Sequence, residues 1–409
     1  MLKRYKITKT GKRVATANIY TGEEHGIQKG KLDNNAVKII EKLKRSGFDA
    51  YIVGGAVRDL LIGKQPKDFD IATNAYPKQI RKLFWNSRII GRRFKLAHIY
   101  FQENIFEVST FRSADQGELG EHNIYGTIEE DAYRRDFSMN SLYFDPIDGQ
   151  ILDFTNAMRD IREQRVRSII PLAITFIEDP VRMIRCIKYT ETTGFSMPYR
   201  LRLSIKKHAN ELKHCSSSRM TEEVFKILQS GYSCVILKKL HIYGLFGYML
   251  PILSEAIPKK RKTSLGLEFF KSLKDLDVEI TNTIIKMDKS DYNTRKHSEK
   301  EIFGVQKSRM LAALIDPFLS FPDEYENSHE LFKDIFKQIK QLIFPLTPAN
   351  YEVEKTVELL FKRENIKIPK NAVRKPNTSV PAPNRRNRNI SARKRTNKSR
   401  IKPVVVGKS

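Results

Sequence analysis

Asp68 and Asp70 stand either side of Phe69, and they follow a glycine pair, Gly54-Gly55, in the stretch YIVGGAVRDLLIGKQPKDFDIAT at residues 51–73. On a strand, alternate residues share a face. The two carboxylates therefore point one way and Phe69 points to the core. Carboxylates that close repel each other unless a cation lies between them, and a hard, oxygen-loving ion such as Mg²⁺ is the natural occupant. Two such ions can activate an attacking hydroxyl and stabilise the leaving oxygen of a phosphoryl transfer. Gly54 and Gly55 let backbone amides approach an anion. A helix opening there adds partial positive charge, and Arg58 adds a forked cation suited to phosphate. Taken singly, a glycine pair suits any tight turn and a pair of aspartates suits a solvated strand. The order strand, glycine pair, helix, loop, paired carboxylates is far more specific.

The elements that must hold these groups are legible nearby. FDAYIVGG reads as a buried strand ending in glycines, AVRDLLIG as a short helix closed by Gly63, and FDIAT as a strand. DNNAVKIIEKLKRS, capped by Asp33 and stopped by Gly47, reads as a helix, as does PKQIRKLFW with Pro77 in its first turn. FKLAHIYF and IFEVSTF alternate as an antiparallel strand pair, and NSLYFDP and QILDF add two more strands. From about residue 157, segments such as MRDIREQRVRSI and DPVRMIRCIKYTETTG have helical spacing. The fold class expected is α+β, a small mixed or antiparallel sheet domain followed by an all-α region. The divisions expected are a loose basic arm at 1–31, a head at 32–156, a helical neck at 157–250, a helical body at 251–366 and a disordered tail at 367–409.

The stretch VGGAVRDLLIGKQPKDFDIAT resembles the head motif of the class II nucleotidyltransferases, the group of the tRNA CCA-adding enzymes and the bacterial poly(A) polymerases. The resemblance implies that Asp68 and Asp70 are catalytic metal ligands and that Gly54, Gly55 and Arg58 bind a nucleoside triphosphate. FEVSTFR resembles the family's next strand, which implies Glu107 beside the carboxylates and Arg112 near the nucleotide. EEDAYRRDFSMNSLYFDP resembles the motif that continues the site through Arg134, Arg135, Asp136 and Asn140. Asp136 acts there either directly or by orienting, and the third carboxylate is Glu107 or Asp136. EDPVRMIRCIKY resembles the base-recognition motif, with Asp179, Arg182 and Arg185. Asp179 before Pro180 reads equally well as a helix N-cap. Together these motifs span about residues 18–245.

GRRFKLAHIYF at 91–101, EEHGI, SSSRMTEEVFKILQSGY and the basic tail resemble the poly(A) polymerase branch, although RRFKLAHI also reads as a basic surface strand with His98 structural. The activity implied is template-independent addition of AMP from ATP to RNA 3′ ends with two Mg²⁺ ions, that is, a polynucleotide adenylyltransferase. A CCA-adding or A-adding tRNA enzyme is the alternative. LDFTNAMRDI departs from the family, with Asn156 and Ala157 where glycines are usual. Alanine tolerates a left-handed turn poorly.

The chain of 409 residues carries 74 Lys and Arg against 47 Asp and Glu, a net charge of +27, which favours a polyanionic partner. Residues 370–409 hold 13 of those cations and no acid, leaving +14 on the rest. Arg385, Arg386, Arg388, Arg393, Lys394 and Arg395 are therefore RNA-contact candidates, acting through phosphates without sequence preference. Cys186, Cys215 and Cys234 are widely spaced, so neither a zinc site nor a disulfide framework is expected. No apolar run is long enough to span a bilayer. A cytoplasmic protein is expected, with no membrane partner; the resemblance implies ATP and RNA 3′ ends as partners and leaves protein partners open, RNA-degradation machinery being one candidate. A basic RNA-binding protein with a degenerate head is the rival from another class. A dinucleotide oxidoreductase does not fit, because the GxGxxG spacing is missing.

Overall fold

A computed structural model of the chain describes residues 2–7, 10–91, 96–101, 104–113, 125–259, 263–289, 306–322, 324–370 and 372–373. Its centre is a nine-stranded sheet in the order β1-β2-β9-β8-β3-β4-β7-β6-β5. The strands are β1 (Leu2–Ile7), β2 (Arg13–Tyr20), β3 (Ala50–Val53), β4 (Asp70–Thr73), β5 (Ser87–Ile90), β6 (Leu96–Phe101), β7 (Asn104–Thr110), β8 (Leu142–Asp145) and β9 (Gln150–Asp153). Every neighbouring pair is antiparallel except β4 and β7, which run parallel. The sheet is thus mixed, as expected, but wider, because the residues read as a loose arm form β1 and β2. β2 pairs with β9 through Asn18↔Asp153, Ile19↔Leu152 and Tyr20↔Ile151.

Alternation along the central strands divides the core in two. Ile52, Ile71, Val108, Phe144 and Ile151 face one side, where they pack with Ile39, Ile40 and Leu43 of α2 (Asn34–Arg45), Val57 of α3 (Gly55–Leu61) and Ile80 of α4 (Pro77–Leu83). Tyr51, Val53, Ala72, Tyr143 and Leu152 face the other, under Ile128 and Ala132 of α5 (Ile128–Tyr133). After the one-turn α1 (Gly22–His25), helix α2 begins where expected: the Asp33 carboxylate accepts hydrogen bonds from the Asn35 and Ala36 amides at 2.6 and 3.3 Å.

The rest is helical. The segments that shape the site are α6 (Ala157–Arg162), α7 (Thr175–Glu178), α8 (Val181–Thr193), α9 (Tyr199–Lys207) and α10 (Ser217–Leu228). Beyond them come α11 (Ser233–Tyr243), α12 (Phe246–Met249), α13 (Pro251–Ala256), α14 (Ser264–Lys289), α15 (Lys307–Ile315), α16 (Ser328–Leu342) and α17 (Asn350–Arg363). Residues 157–168 do not form one helix. The chain leaves α6 at Arg162, takes a positive φ of 48° at Gln164, and then makes bridges from Arg165 to Ser196 and from Ser168 to Phe137. The Asn156 turn resolves simply: Asn156 alone is left-handed, at φ 60°, and Ala157 is the buried first residue of α6. Among the described residues, no helix is long and apolar enough to cross a membrane. Cys186, Cys215 and Cys234 are free thiols. The tail arginines and Lys394 lie outside the described residues, as does the expected disorder after residue 373.

Candidate active site

Strand β3 ends at Val53, and Gly54 turns the chain into α3 with φ 72° and ψ −134°. L-residues avoid that conformation. A Cβ at Gly54 would lie 3.6 Å from the Arg135 guanidinium and 3.9 Å from the Asp70 carboxylate. The glycine turn, the second aspartate and an arginine from a distant motif therefore converge on one point.

Asp70 opens β4 and pairs with Val53. Asp68 precedes the strand rather than lying on it, yet the alternation holds: Phe69 is buried, and Asp68 and Asp70 are reached by solvent. The β4–β7 register, Ile71↔Val108, places Glu107 on the strand beside Asp70. Across the next strand pair, His98 Nε2 lies 3.5 Å from Glu107 Oε1. Although solvent touches Asp70, the surrounding protein displaces bulk water. That burial, followed by the charges of Glu107 and Asp68, pushes its carboxyl up to about 6. Asp68 is also raised, first by burial.

These residues fit a divalent ion, since an accumulation of negative charge at two open carboxylates is what such an ion relieves. Among the described residues, no group of three or more His, Cys, Asp and Glu is gathered closely enough to hold one alone. Mg²⁺ does not need that, because it retains waters and takes phosphate oxygens from a substrate.

Arg58 is buried on α3. Its guanidinium donates to Asn140 Oδ1 at 2.8 Å and to Asp59 at 2.9 Å, and lies 5.1 Å from the centre of the Tyr189 ring. Asn140 donates in turn to Asp136 Oδ1 at 3.2 Å, and Asp136 Oδ2 sits 3.0 Å from Arg185 of α8. Arg185 donates to the Tyr189 hydroxyl at 2.9 Å and approaches Glu223 of α10, which Lys188 holds at 2.6 Å. One polar chain thus runs from the glycine turn into the helical region. Asp136 spends its carboxylate on Arg185, Asn140 and the Phe137 amide, which suits an orienting role.

Arg135 donates to Asp131, to the Tyr143 hydroxyl and to the Asn140 carbonyl. Asp131, which the sequence reading missed, is the hub: it also accepts from Arg134, from the Tyr143 hydroxyl at 2.6 Å and from the Arg112 amide at 3.1 Å. Its spacing from Arg134 and Arg135, three and four residues along a helix, was the available signal. The Arg112 guanidinium is pushed down to about 10, by burial first and then by Arg134.

Asp179 does not cap α8 with its side chain; Pro180 occupies the N-cap position. Asp179 Oδ2 instead accepts from Arg219 of α10 at 2.8 Å, and its other oxygen is buried with no hydrogen-bond partner. Arg182 folds back onto Thr175 at 3.1 Å and Glu178 at 3.2 Å, and lies 3.9 Å from Asp179. Neither Arg219 nor Lys226, whose charge acts on Asp68 and Asp70, was found by sequence. Lys226 also pairs with Glu222 four residues before it on α10.

Residues 50–167 match the family model described as the poly A polymerase head domain, and residues 194–257 match a probable RNA and SrmB-binding site of polymerase A. A poly(A) polymerase I from Escherichia coli O6:H1 is 37% identical over 274 residues, covering 64% of this chain and 59% of that protein. One from Haemophilus influenzae is 39% identical over 257 residues, covering 59% of this chain and 57% of that protein. A CCA-adding enzyme from Geobacillus kaustophilus is 34% identical over 220 residues, covering 52% and 54%. The chain therefore spans under three-fifths of the length of these curated relatives. A solved CCA-adding enzyme complex with ATP superposes with a TM-score of 0.50 at 18% identity, over 87% of this chain and 92% of that one, a likeness of fold.

Proposed function

We propose, from the premise that the chain belongs to the class II nucleotidyltransferases on their bacterial poly(A) polymerase branch, that it adds AMP from ATP to RNA 3′-hydroxyl ends without a template. The RNA 3′ oxygen attacks the α-phosphorus, a phosphodiester forms, and pyrophosphate leaves. The observation that carries this reading is the convergence of Asp70 and Arg135 on Gly54, in a chain 37–39% identical to two poly(A) polymerases I over 59–64% of its length. Likeness to CCA-adding enzymes supports the alternative as a related family.

Asp68 and Asp70, with Glu107 on the adjacent strand, would hold Mg²⁺, which when bound supplies charge neutralisation on the phosphates and a more acidic attacking hydroxyl. Gly54, Gly55, Arg58, Arg112 and Arg135 receive the triphosphate. Asn140 and Asp136 orient Arg58 and Arg185 rather than touching the reacting atoms. Such a site works mainly by positioning and charge stabilisation. Residues 32–156, joined by strands β1 and β2, serve as the head, 157–250 as the neck and 251–366 as the body, with RNA on the body and on the tail cations. A cytoplasmic setting suits the free cysteines.

Asp179 reads the base. Arg219 fixes one of its oxygens, and the unpartnered oxygen is an acceptor aimed at an exocyclic amino group. Adenine and cytosine offer such a donor, whereas uracil and guanine present a carbonyl at that edge. Rejecting cytosine then falls to the size and placement of the pocket around Arg182. The test is Asp179→Asn with ATP, CTP and UTP supplied singly. The expected result is a fall in the ATP-over-UTP ratio of kcat/KM by about tenfold or more, the range of one hydrogen-bond discrimination. An unchanged ratio removes Asp179 from base reading.

A further inference from the structure

We infer that the β1–β2 hairpin is a second RNA contact, holding phosphates of the strand upstream of the 3′ end being extended. This rests on the reading of the chain as an RNA-extending enzyme and adds a surface that reading does not include. Residues 1–18 contain six Lys and Arg and no Asp or Glu. In the described part, Lys3, Arg4, Lys6 and Arg13 are all exposed on a two-stranded ribbon at the edge of the sheet.

The register fixes which way they point. The paired row Leu2–Ile19–Leu152–Tyr143–Val53–Asp70 crosses the sheet without a break. Leu2 is therefore on the face of Asp70, and so is Arg4, paired with Ala17; the register shifts between Arg4 and Tyr5, and beyond it the alternation along β1 itself returns Lys6 to that side. The charge of Arg4 reaches Tyr51 on that face. Lys3 and Tyr5 occupy the opposite face, where the Arg13 guanidinium stacks 4.1 Å from the centre of the Tyr5 ring. Five strand spacings separate β1 from β4, about 24 Å at roughly 4.8 Å each, with the face turning as the sheet twists. The foot of the ribbon is fixed, because Asn18 donates to Asn156 at 3.2 Å in the turn between sheet and helices.

Cations on both faces of a ribbon, beside a half-exposed tyrosine under an arginine, match a flexible single strand with phosphates outside and bases free to stack. A rigid A-form duplex, with its narrow major groove, offers less to such a ribbon. The competing physical reading is that lysines on an edge strand block edge-to-edge pairing. The two readings differ in outcome.

The experiment is RNA binding without ATP, by fluorescence anisotropy across a salt series, for the full chain and for Lys3→Gln, Arg4→Gln and Lys6→Gln combined. The probes are a long unstructured RNA and a trinucleotide too short to reach β1 from the carboxylates. The expected result for the long RNA is a loss of affinity of about tenfold, with a log–log salt slope shallower by about 2, from three lost contacts at roughly 0.7 each. Trinucleotide binding and melting temperature should not change. An unchanged slope overturns the inference. So does self-association of the variant at unchanged slope, which assigns the cations to edge protection, or lost binding to anionic phospholipid vesicles at unchanged slope, which assigns them to a membrane surface. Binding is read without turnover. A chain that loses RNA affinity as expected but never extends RNA would sink the enzymatic reading and leave β1 only as an RNA contact, so the two failures are distinguishable.

Discussion

Replacing Asp70 with asparagine should reduce AMP addition by about 10³-fold or more, while leaving affinity for RNA within about twofold. The variant keeps the shape and removes the charge. The reason for so large an effect is where Asp70 sits. It opens β4 next to the glycine turn, within reach of Arg135, beside Glu107 and close to Asp68. Its carboxyl is raised by burial first and then by the charges of Glu107 and Asp68, and a divalent ion with a phosphate would balance that negative charge. Asp68→Asn should behave alike. Primer extension followed on a gel measures the rate, and anisotropy measures RNA affinity. A variant that retains extension within tenfold of the parent would remove Asp70 from the chemistry, and a parallel loss of RNA binding would point to misfolding instead.

The second large effect is on stability. Asp131→Ala should destabilise the chain by about 3–5 kcal/mol, the usual consequence of leaving buried cations without their partner. Asp131 is 1% exposed and joins Arg134, Arg135, Tyr143 and the Arg112 backbone. Burial alone would raise its carboxyl, but Arg135 and Arg134, with the Tyr143 hydroxyl, hold it down to about 2. The sign follows from linkage. A carboxyl depressed on folding contributes stability above the ordinary aspartate range, near 4, and loses it as pH falls towards 2. The titrating part is worth roughly 2 kcal/mol. Thermal melts of the parent and of Asp131→Asn should therefore differ most at neutral pH and converge as the pH drops below 4. A gap that stays constant from neutral pH to pH 3 would mean that Asp131 does not carry this charge. Because Arg135 is held by Asp131 and faces Gly54, the variant should also lose activity at temperatures where it remains folded.

Much of the site was legible because its signals are local. Glycines before a helix, aspartates two apart and Asp33 ahead of an amphipathic helix each act over a few residues, and the structure places those elements where their spacing suggests. Other parts were not legible because they depend on partners far along the chain. Residues 1–18 look like an unstructured basic arm, since β1 is exposed throughout and has no buried face to impose alternation. β2 pairs with its neighbour β1 and with β9, more than a hundred residues away, and only the second pairing joins the hairpin to the rest of the sheet. The role of Asp179 divides in the same way. Its place before Pro180 suggests a cap, and only Arg219, 40 residues on, draws the carboxylate elsewhere. Asp136 shows the limit of motif reading: its position in the motif does not say that Arg185 occupies it.

The most direct test of the central claim is product length. Purified protein with Mg²⁺ is given an unstructured RNA, and separately a tRNA lacking its CCA end, each with ATP alone, CTP alone or both. The account predicts ATP-dependent ladders that lengthen with time on the unstructured RNA and need no CTP. Addition confined to the tRNA, ending after C, C and A, would contradict it and make the chain a CCA-adding enzyme.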